Sequence, residues 1–186
     1  PWPGGDPMRE RTCAMSVKEE VYARLNREQI PYTAYEHEAV NTMEACVALP
    51  FVDSDVLFCK NILLCNRQKT DFYLYLAPPF LPFRTAVVSK KLQVARLSFA
   101  PADLLPELLH LESGSLSPFG LWWDKEHKIT LVTDTALRAA PRLAFHPCDH
   151  TATVLVDTET FYHRIIPSLG ALHLELNGAA ATEPMA

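Results

Sequence analysis

The stretch Val56-Leu57-Phe58-Cys59-Lys60-Asn61-Ile62-Leu63-Leu64-Cys65 is apolar at every position except its centre, with Asp55 before it and Asn66-Arg67 after it. A short apolar run between turn-forming residues reads as a buried strand. Asn66–Thr70 then turns the chain, and Phe72–Ala77 returns as a hairpin partner that Pro78-Pro79 stops. Lys60 breaks the run. A lysine in that setting loses water, so it must meet an anion or reach solvent along its stem. One reading makes it an edge-strand lysine that guards register. The other aims its charge into a cleft, with the Asn61 amide beside it to orient a ligand. In a regular strand the two residues face opposite ways, so both line one site only if the strand bulges or ends there.

The flanking sequence supplies a mixed set of elements. Residues 1–15 mix Pro, Gly and charge without periodicity and are expected to form a disordered leader. Ser16-Val17-Lys18-Glu19 is a capping box, and Val17, Val21 and Leu25 follow at helical spacing. Tyr32–Glu36 reads as a strand, and Thr42 caps a helix over Met43–Leu49. Beyond the hairpin, Thr85–Leu92 reads as a helix, Val94–Phe99 as a strand and Pro101–His110 as a helix with Pro in its first turn. Asp124–His127 is expected to turn a hairpin from Phe119–Trp123 into Ile129–Thr133. Ala144–His146 and Ala152–Val156 add short strands, and Thr158–Leu169 a closing helix. Six or seven strands with four or five helices predict one α+β domain over residues 16–170, with 171–186 as a flexible tail.

Composition narrows the class. The chain has 186 residues, 48% of them hydrophobic, which suits one domain able to bury a core without disulfides or metal. Fifteen prolines predict many short loops. No apolar run reaches the ~18 residues of a membrane span, and the start does not read as a signal peptide. Five cysteines without a CxxC pair predict free thiols and a reducing, cytoplasmic setting. Cys148 with His146 and His150 lacks the spacing of a tetrahedral zinc set. Cys59 is a poor nucleophile, since apolar surroundings raise a thiol pKa.

Charge is unevenly spread. The net charge is −5, yet Val56–Ala102 holds Lys60, Arg67, Lys69, Arg84, Lys90, Lys91 and Arg96 against the single acid Asp71. That segment is positive on a chain otherwise acidic, and can receive a polyanion locally. Two more features carry chemistry. Gly114-Ser115-Leu116-Ser117-Pro118 is a loop whose glycine lets backbone N–H groups approach a ligand closely; alone it is an ordinary connection. His146, between Phe145 and Pro147, is either a proton-active or a structural histidine. His37, His110, His127, His163 and His173 have no evident partners.

Together these segments resemble a known family. Cys59–Thr70, Ala95–Ala100 and Gly114–Leu121 look like the YbaK/prolyl-tRNA editing family, most nearly its stand-alone prolyl-tRNA deacylase-like branch. Thr42–Cys46 and Phe145-His146-Pro147 with Thr151-Ala152-Thr153 agree in order, so the likeness spans residues ~17–166. The resemblance implies a partly barrel-like central sheet flanked by helices. It also implies hydrolysis of the ester on mischarged tRNA, with alanine on proline tRNA the usual substrate and no metal or cofactor. The family lysine matches Lys60 and its polar neighbour Asn61; the GxxxP loop maps to Gly114–Pro118, with Ser115 in it, and the pocket histidine to His146. Thr42, Ser98, Phe99, Leu116 and Pro118 are the implied substrate-binding positions. The implied partners are the 3′ end of mischarged tRNA and prolyl-tRNA synthetase, with no membrane, and the chain as a monomer or homodimer. Asp149-His150 and Ala77–Phe80 depart from the family pattern. A non-catalytic tRNA- or synthetase-binding module and a Cys59-dependent hydrolase are the alternatives.

Overall fold

In the computed structural model, which describes residues 15–109, 111 and 114–178, the run Val56–Cys65 is two strands rather than one. The strands are β1 (Thr33–Glu36), β2 (Val56–Phe58), β3 (Lys60–Cys65), β4 (Phe72–Ala77), β5 (Ser98–Phe99), β6 (Ile129–Asp134), β7 (Arg142–Phe145), β8 (Ala152–Asp157) and β9 (His173–Leu176). They form a four-stranded sheet, β1-β8-β7-β2, and a five-stranded sheet, β5-β3-β4-β6-β9. The expected α+β class holds, with the strands divided between two sheets rather than one central sheet of six or seven, and neither closes into a barrel among the described residues. Cys59 is the reason. Its N–H still bonds to Ala144 in the first sheet at 3.0 Å, and from Lys60 onward the chain pairs with β4 in the second.

The pleat explains why the chain reads as it does. In β3 and β4, Leu63, Cys65, Leu74 and Leu76 face the main core, whereas Ile62, Leu64, Tyr75 and Ala77 face a second cluster. Helix α3 (Thr85–Leu92) covers that second cluster through Val88 and Leu92, so the sheet is buried on both faces and its central strands need no polar alternation. The four-stranded sheet behaves likewise. Leu143, Phe145, Val154 and Val156 face the main core, and Ala144 and Leu155 meet Cys46 of helix α2 (Met43–Val47).

Helix α1 (Val17–Arg27) drops Val21 and Leu25 into the main core, and both halves of its capping box are present at Ser16 and Glu19. Pro101–His110 is a 3-10 turn, Ala102–Leu104, followed by α4 (Leu105–Leu109); His110 lies outside the described residues. The strand expected over Val94–Phe99 shrinks to β5, because Val94 packs with α3's cluster instead of pairing. Phe119–Trp123 belongs to a 3-10 helix, Pro118–Trp123, so no hairpin forms there, and β6 runs parallel to β4. The closing helix is continuous from Thr158 to Leu169 but widens to π geometry at Phe161–Ile165. No helix among the described residues is long and apolar enough to cross a membrane.

Of the leader and tail, residues 1–14 and 179–186 lie outside the described residues. Residues 173–176, assigned to the tail from the sequence, instead form β9, parallel to β6. What holds this strand is a buried polar knot. The Asp134 carboxylate accepts from Tyr75 Oη at 2.8 Å, Ala136 N at 2.9 Å and Gly178 N at 3.0 Å. A Cβ at Gly178 would lie 2.1 Å from Asp134 Oδ2 and 2.6 Å from Tyr75 Oη. Gly178→Ala is therefore expected to cost about 1–3 kcal/mol by overpacking, and to expose the β9 amides first. Hydrogen exchange of Leu174–Leu176 checks this; unchanged protection there would contradict it.

Candidate active site

A cleft of about 350 Å³ opens where the two sheets meet, within the range of small-molecule sites. Its walls come from α2 and the segment before it, from the β2–β3 junction, from β5 and the turn after it, from the Gly114 loop and from His146. Sheet switching at Cys59 decides what lines it. Phe58 closes one strand and Lys60 begins another, so Cys59, Lys60 and Asn61 all reach the same cavity. The opposed facing of a regular strand does not apply at its first residue.

Of the ten residues singled out from the sequence, Lys60, Asn61, Gly114, His146, Thr42, Phe99 and Leu116 line this cleft. Ser115, Ser98 and Pro118 do not. Gly114 and Leu116 line the cavity, while Ser115 and Ser117 are buried away from it. Ser115 Oγ lies 3.4 Å from His150 Nδ1, a contact that joins this loop to the departing Asp149-His150 pair. Pro118 starts the 3-10 helix, and Ser98 is exposed on the edge strand, one residue before the cleft-lining Phe99. Gly114 has φ +88°, a conformation that side chains rarely adopt, so a glycine is required by the backbone rather than by space.

The polar groups have defined states. Lys60 is half-buried, and no carboxylate lies within ion-pair distance of it among the described residues. Asn61 Nδ2 donates to the Cys59 carbonyl at 3.3 Å, while Asn61 Oδ1 is buried without a hydrogen-bond partner. His146 is buried, and its Nδ1 lies 2.8 Å from the Ala152 carbonyl. A carbonyl only accepts, so Nδ1 carries the proton and Nε2 keeps a lone pair. Burial pushes the His146 pKa below the ordinary histidine value, with His37 and His150 adding to that and the Ala152 bond opposing it. Cys46 Sγ lies 3.6 Å from His146 Nε2, and burial raises that thiol to about 11, so a neutral S–H donates to a neutral ring. This is the reverse of the thiolate–imidazolium pair a cysteine nucleophile uses. Cys59, buried throughout, is likewise pushed well above its usual value.

Sequence inspection missed Cys46 and His37. Cys46 meets His146 across 100 positions. His37 donates from Nδ1 to the Glu38 carbonyl at 2.7 Å and accepts from Thr153 Oγ1 at 2.8 Å, its ring 6.2 Å from that of His146. Pairings so distant in sequence leave no local signal. Thr42 serves twice: its Oγ1 accepts from Ala45 N at 3.1 Å as the α2 cap and it lines the cleft. Asp149 accepts from Thr151 N and Oγ1 at 2.9 and 2.6 Å, and Lys18 reaches Thr151 Oγ1 at 3.1 Å, tying α1 to the loop after His146.

The comparisons with known proteins agree with one another. Residues 37–162 match the aminoacyl-tRNA editing domain. The chain is 32% identical over 145 residues to the prolyl-tRNA editing protein ProX of Acetoanaerobium sticklandii, covering 78% of this chain and 88% of that one. It is 27% identical over 143 residues to prolyl-tRNA synthetase associated domain-containing protein 1 of Danio rerio, covering 75% and 76%. Among solved structures, a candidate trans-editing enzyme for prolyl-tRNA synthetase superposes with a TM-score of 0.66 at 15% identity, over 88% of this chain and 98% of that one. A hypothetical protein superposes equally well, at 0.66 and 14% identity, over 84% and 98%. At such identities the solved structures speak for the fold alone.

Proposed function

The chain belongs to the aminoacyl-tRNA editing domain family, and from that premise we propose that it removes alanine mischarged onto proline tRNA, in trans. It is a hydrolase acting on the aminoacyl-tRNA ester. The observation that carries the substrate assignment to this cleft is the Lys60–Asn61 pair: a cation with no counter-ion among the described residues beside a buried acceptor with no donor among them. An orphaned acceptor costs about 1–3 kcal/mol. An aminoacylated 3′ terminus supplies both missing partners, as phosphate or developing oxyanion for Lys60 and as an ammonium or ribose hydroxyl for Asn61 Oδ1.

The chemistry asks little of the protein. Water attacks the ester carbonyl, the tetrahedral oxyanion collapses, and the bond to the terminal ribose oxygen breaks as that oxygen takes a proton. An aminoacyl ester is already activated, so placing the water and stabilising the oxyanion suffice. In this reading Lys60 and the N–H groups of the Gly114 loop supply that stabilisation. His146 contributes a neutral ring whose Nε2 is held by a weakly donating thiol that a substrate N–H can displace. The free hydroxyl of the terminal ribose helps deliver the water, so no side-chain base is required.

Alanine follows from selection at the source. A proline-sized synthetase pocket cannot strongly reject a smaller residue, so misacylation by prolyl-tRNA synthetase is the step that supplies this substrate. Val40, Met43, Phe58 and Leu116 give the cleft apolar walls for a small side chain. A deacylation panel across mischarged tRNAs tests this. Alanine on proline tRNA should be released fastest; an intact alanyl ester alongside rapid loss of another amino acid would overturn the choice of substrate.

A further inference from the structure

We propose that the outer face of the five-stranded sheet, around α3 and β5, is the track by which the RNA strand of the acceptor end reaches the cleft, with Phe99 as a base-stacking platform. The proposal rests on the deacylase reading above and adds to it where the RNA lies.

The cations are fixed to one face. Helix α3 packs Val88 and Leu92 against Ile62, Leu64, Tyr75 and Leu97, which pins it to the outside of the sheet. Arg84 at its N-cap, Lys90 in its last turn and Arg96 in the loop that follows are all exposed. Arg67 and Lys69 are exposed in the β3–β4 turn. None of these five has a carboxylate within 4.0 Å among the described residues. Lys91 is different, being spent on the Asn177 carbonyl. Asp71, the one acid of Val56–Ala102, accepts from Asn66 Nδ2 at 3.1 Å. Five exposed cations without an ion-pair partner among the described residues thus fall between Arg67 and Arg96 of a chain of net charge −5, while Arg27, Lys125 and Arg164 lie elsewhere.

Phe99 links that face to the cleft. It is 61% exposed, an unusual setting for a phenylalanine on a two-residue edge strand. Its ring lines the cleft and also lies 6.0 Å from Phe83, which is anchored edge-on against Tyr75 at 5.1 Å. Phe99 pairs with Leu64, four residues along β3 from Lys60, or about 13 Å at ~3.3 Å per residue. A nucleoside carrying an ester at Lys60 reaches that far. Cations tracking a backbone, with an aromatic plane at the end, are how proteins hold single-stranded nucleic acid.

The test compares alanyl-tRNA with a small ester, 3′-O-alanyl-adenosine, using Arg84→Glu/Lys90→Glu/Arg96→Glu protein and Phe99 variants. The charge-reversed protein should show KM for alanyl-tRNA raised at least about tenfold at 50 mM salt, and a log–log salt slope reduced by about 2–3. Its kcat/KM on the small ester should stay within about twofold of wild type. Phe99→Leu should lower kcat/KM on both substrates by about 5- to 100-fold, and Phe99→Tyr should restore it. Unchanged KM and salt slope on alanyl-tRNA in the charge-reversed protein would overturn the track and leave the face to an acidic protein partner. Should wild type hydrolyse neither ester, the deacylase reading fails instead. Binding of uncharged proline tRNA then decides the track by itself: a loss on charge reversal supports it, and equal binding overturns it.

Discussion

Lys60→Ala protein is expected to hydrolyse alanyl-tRNA about 10²- to 10³-fold more slowly in single turnover, the cost of removing one preorganised stabilising group from an acyl-transfer site. The physical reason is local. A unit charge about 4 Å from a developing oxyanion is worth roughly 4 kcal/mol at an effective dielectric near 20. Among the described residues no other lysine or arginine lines the cleft. The fold should be indifferent, because Lys60 makes no ion pair among the described residues and its strand pairing with Ala77 is a backbone matter. Lys60→Met, which keeps the apolar stem, should lose as much rate as Lys60→Ala and thereby separate charge from packing. The measurement also decides between mechanisms. A cysteine-dependent hydrolase would keep its rate in both variants and lose it on alkylation. A binding module would show no turnover to lose. Full activity in Lys60→Ala protein would remove the electrostatic account altogether.

Much of this site is legible in the sequence because Lys60 is a local anomaly, and an anomaly in an apolar run needs only its neighbours to be noticed. The same holds for Thr42, whose cap is written within four residues, and for Gly114, whose positive φ suits glycine. What could not be read locally is where alternation starts. Ser115 and Leu116 are adjacent and equally suited to a loop, and only the fold decides that the leucine meets the cavity and the serine meets His150. Lys60 and Asn61 share a wall because of Cys59, yet nothing in VLFCKNILLC marks Cys59 as the point where the chain changes sheets. β9 illustrates the limit on the fold side. His173-Leu174-Glu175-Leu176 alternates well enough for a strand, but it follows a helix and a glycine and precedes an alanine-rich end, so local composition argues for a tail. Its place beside β6 is set by Asp134, Tyr75 and an Arg138–Glu175 ion pair, all of them distant in sequence.

Phe145→Ala should be among the most damaging single changes to stability, at about 3–5 kcal/mol, the usual cost of emptying a buried aromatic site. Phe145 is fully buried, stacked at a tilt against Phe161 at 4.8 Å and edge-on to Phe119 at 6.0 Å. Those three rings join β7, the closing helix and the 3-10 helix after the Gly114 loop, so three separate segments lose a contact at once. The cavity cannot collapse easily, since Leu143, two residues along β7 from Phe145, and Val154, the partner of Phe145 on β8, are held in the sheet on the same face. Against a total of about 5–15 kcal/mol, such a loss is a large fraction of the stability. At about 2–4 °C per kcal/mol for a chain of this size, Tm should fall by about 6–20 °C. Urea titration should move the midpoint with little change in slope if the native state stays compact. The change also tests how the core relates to the chemistry. Phe145 precedes His146, but the ring of His146 is fixed by Ala152 and Cys46 rather than by Phe145. At 20 °C the folded fraction of Phe145→Ala protein should therefore keep alanyl-tRNA hydrolysis within a few-fold of wild type, while Phe145→Leu, which fills most of the volume, should recover most of the Tm. A variant that keeps its Tm would mean that the aromatic cluster does not hold β7, the closing helix and the 3-10 helix together. One that loses activity without losing Tm would place Phe145 in the positioning of His146.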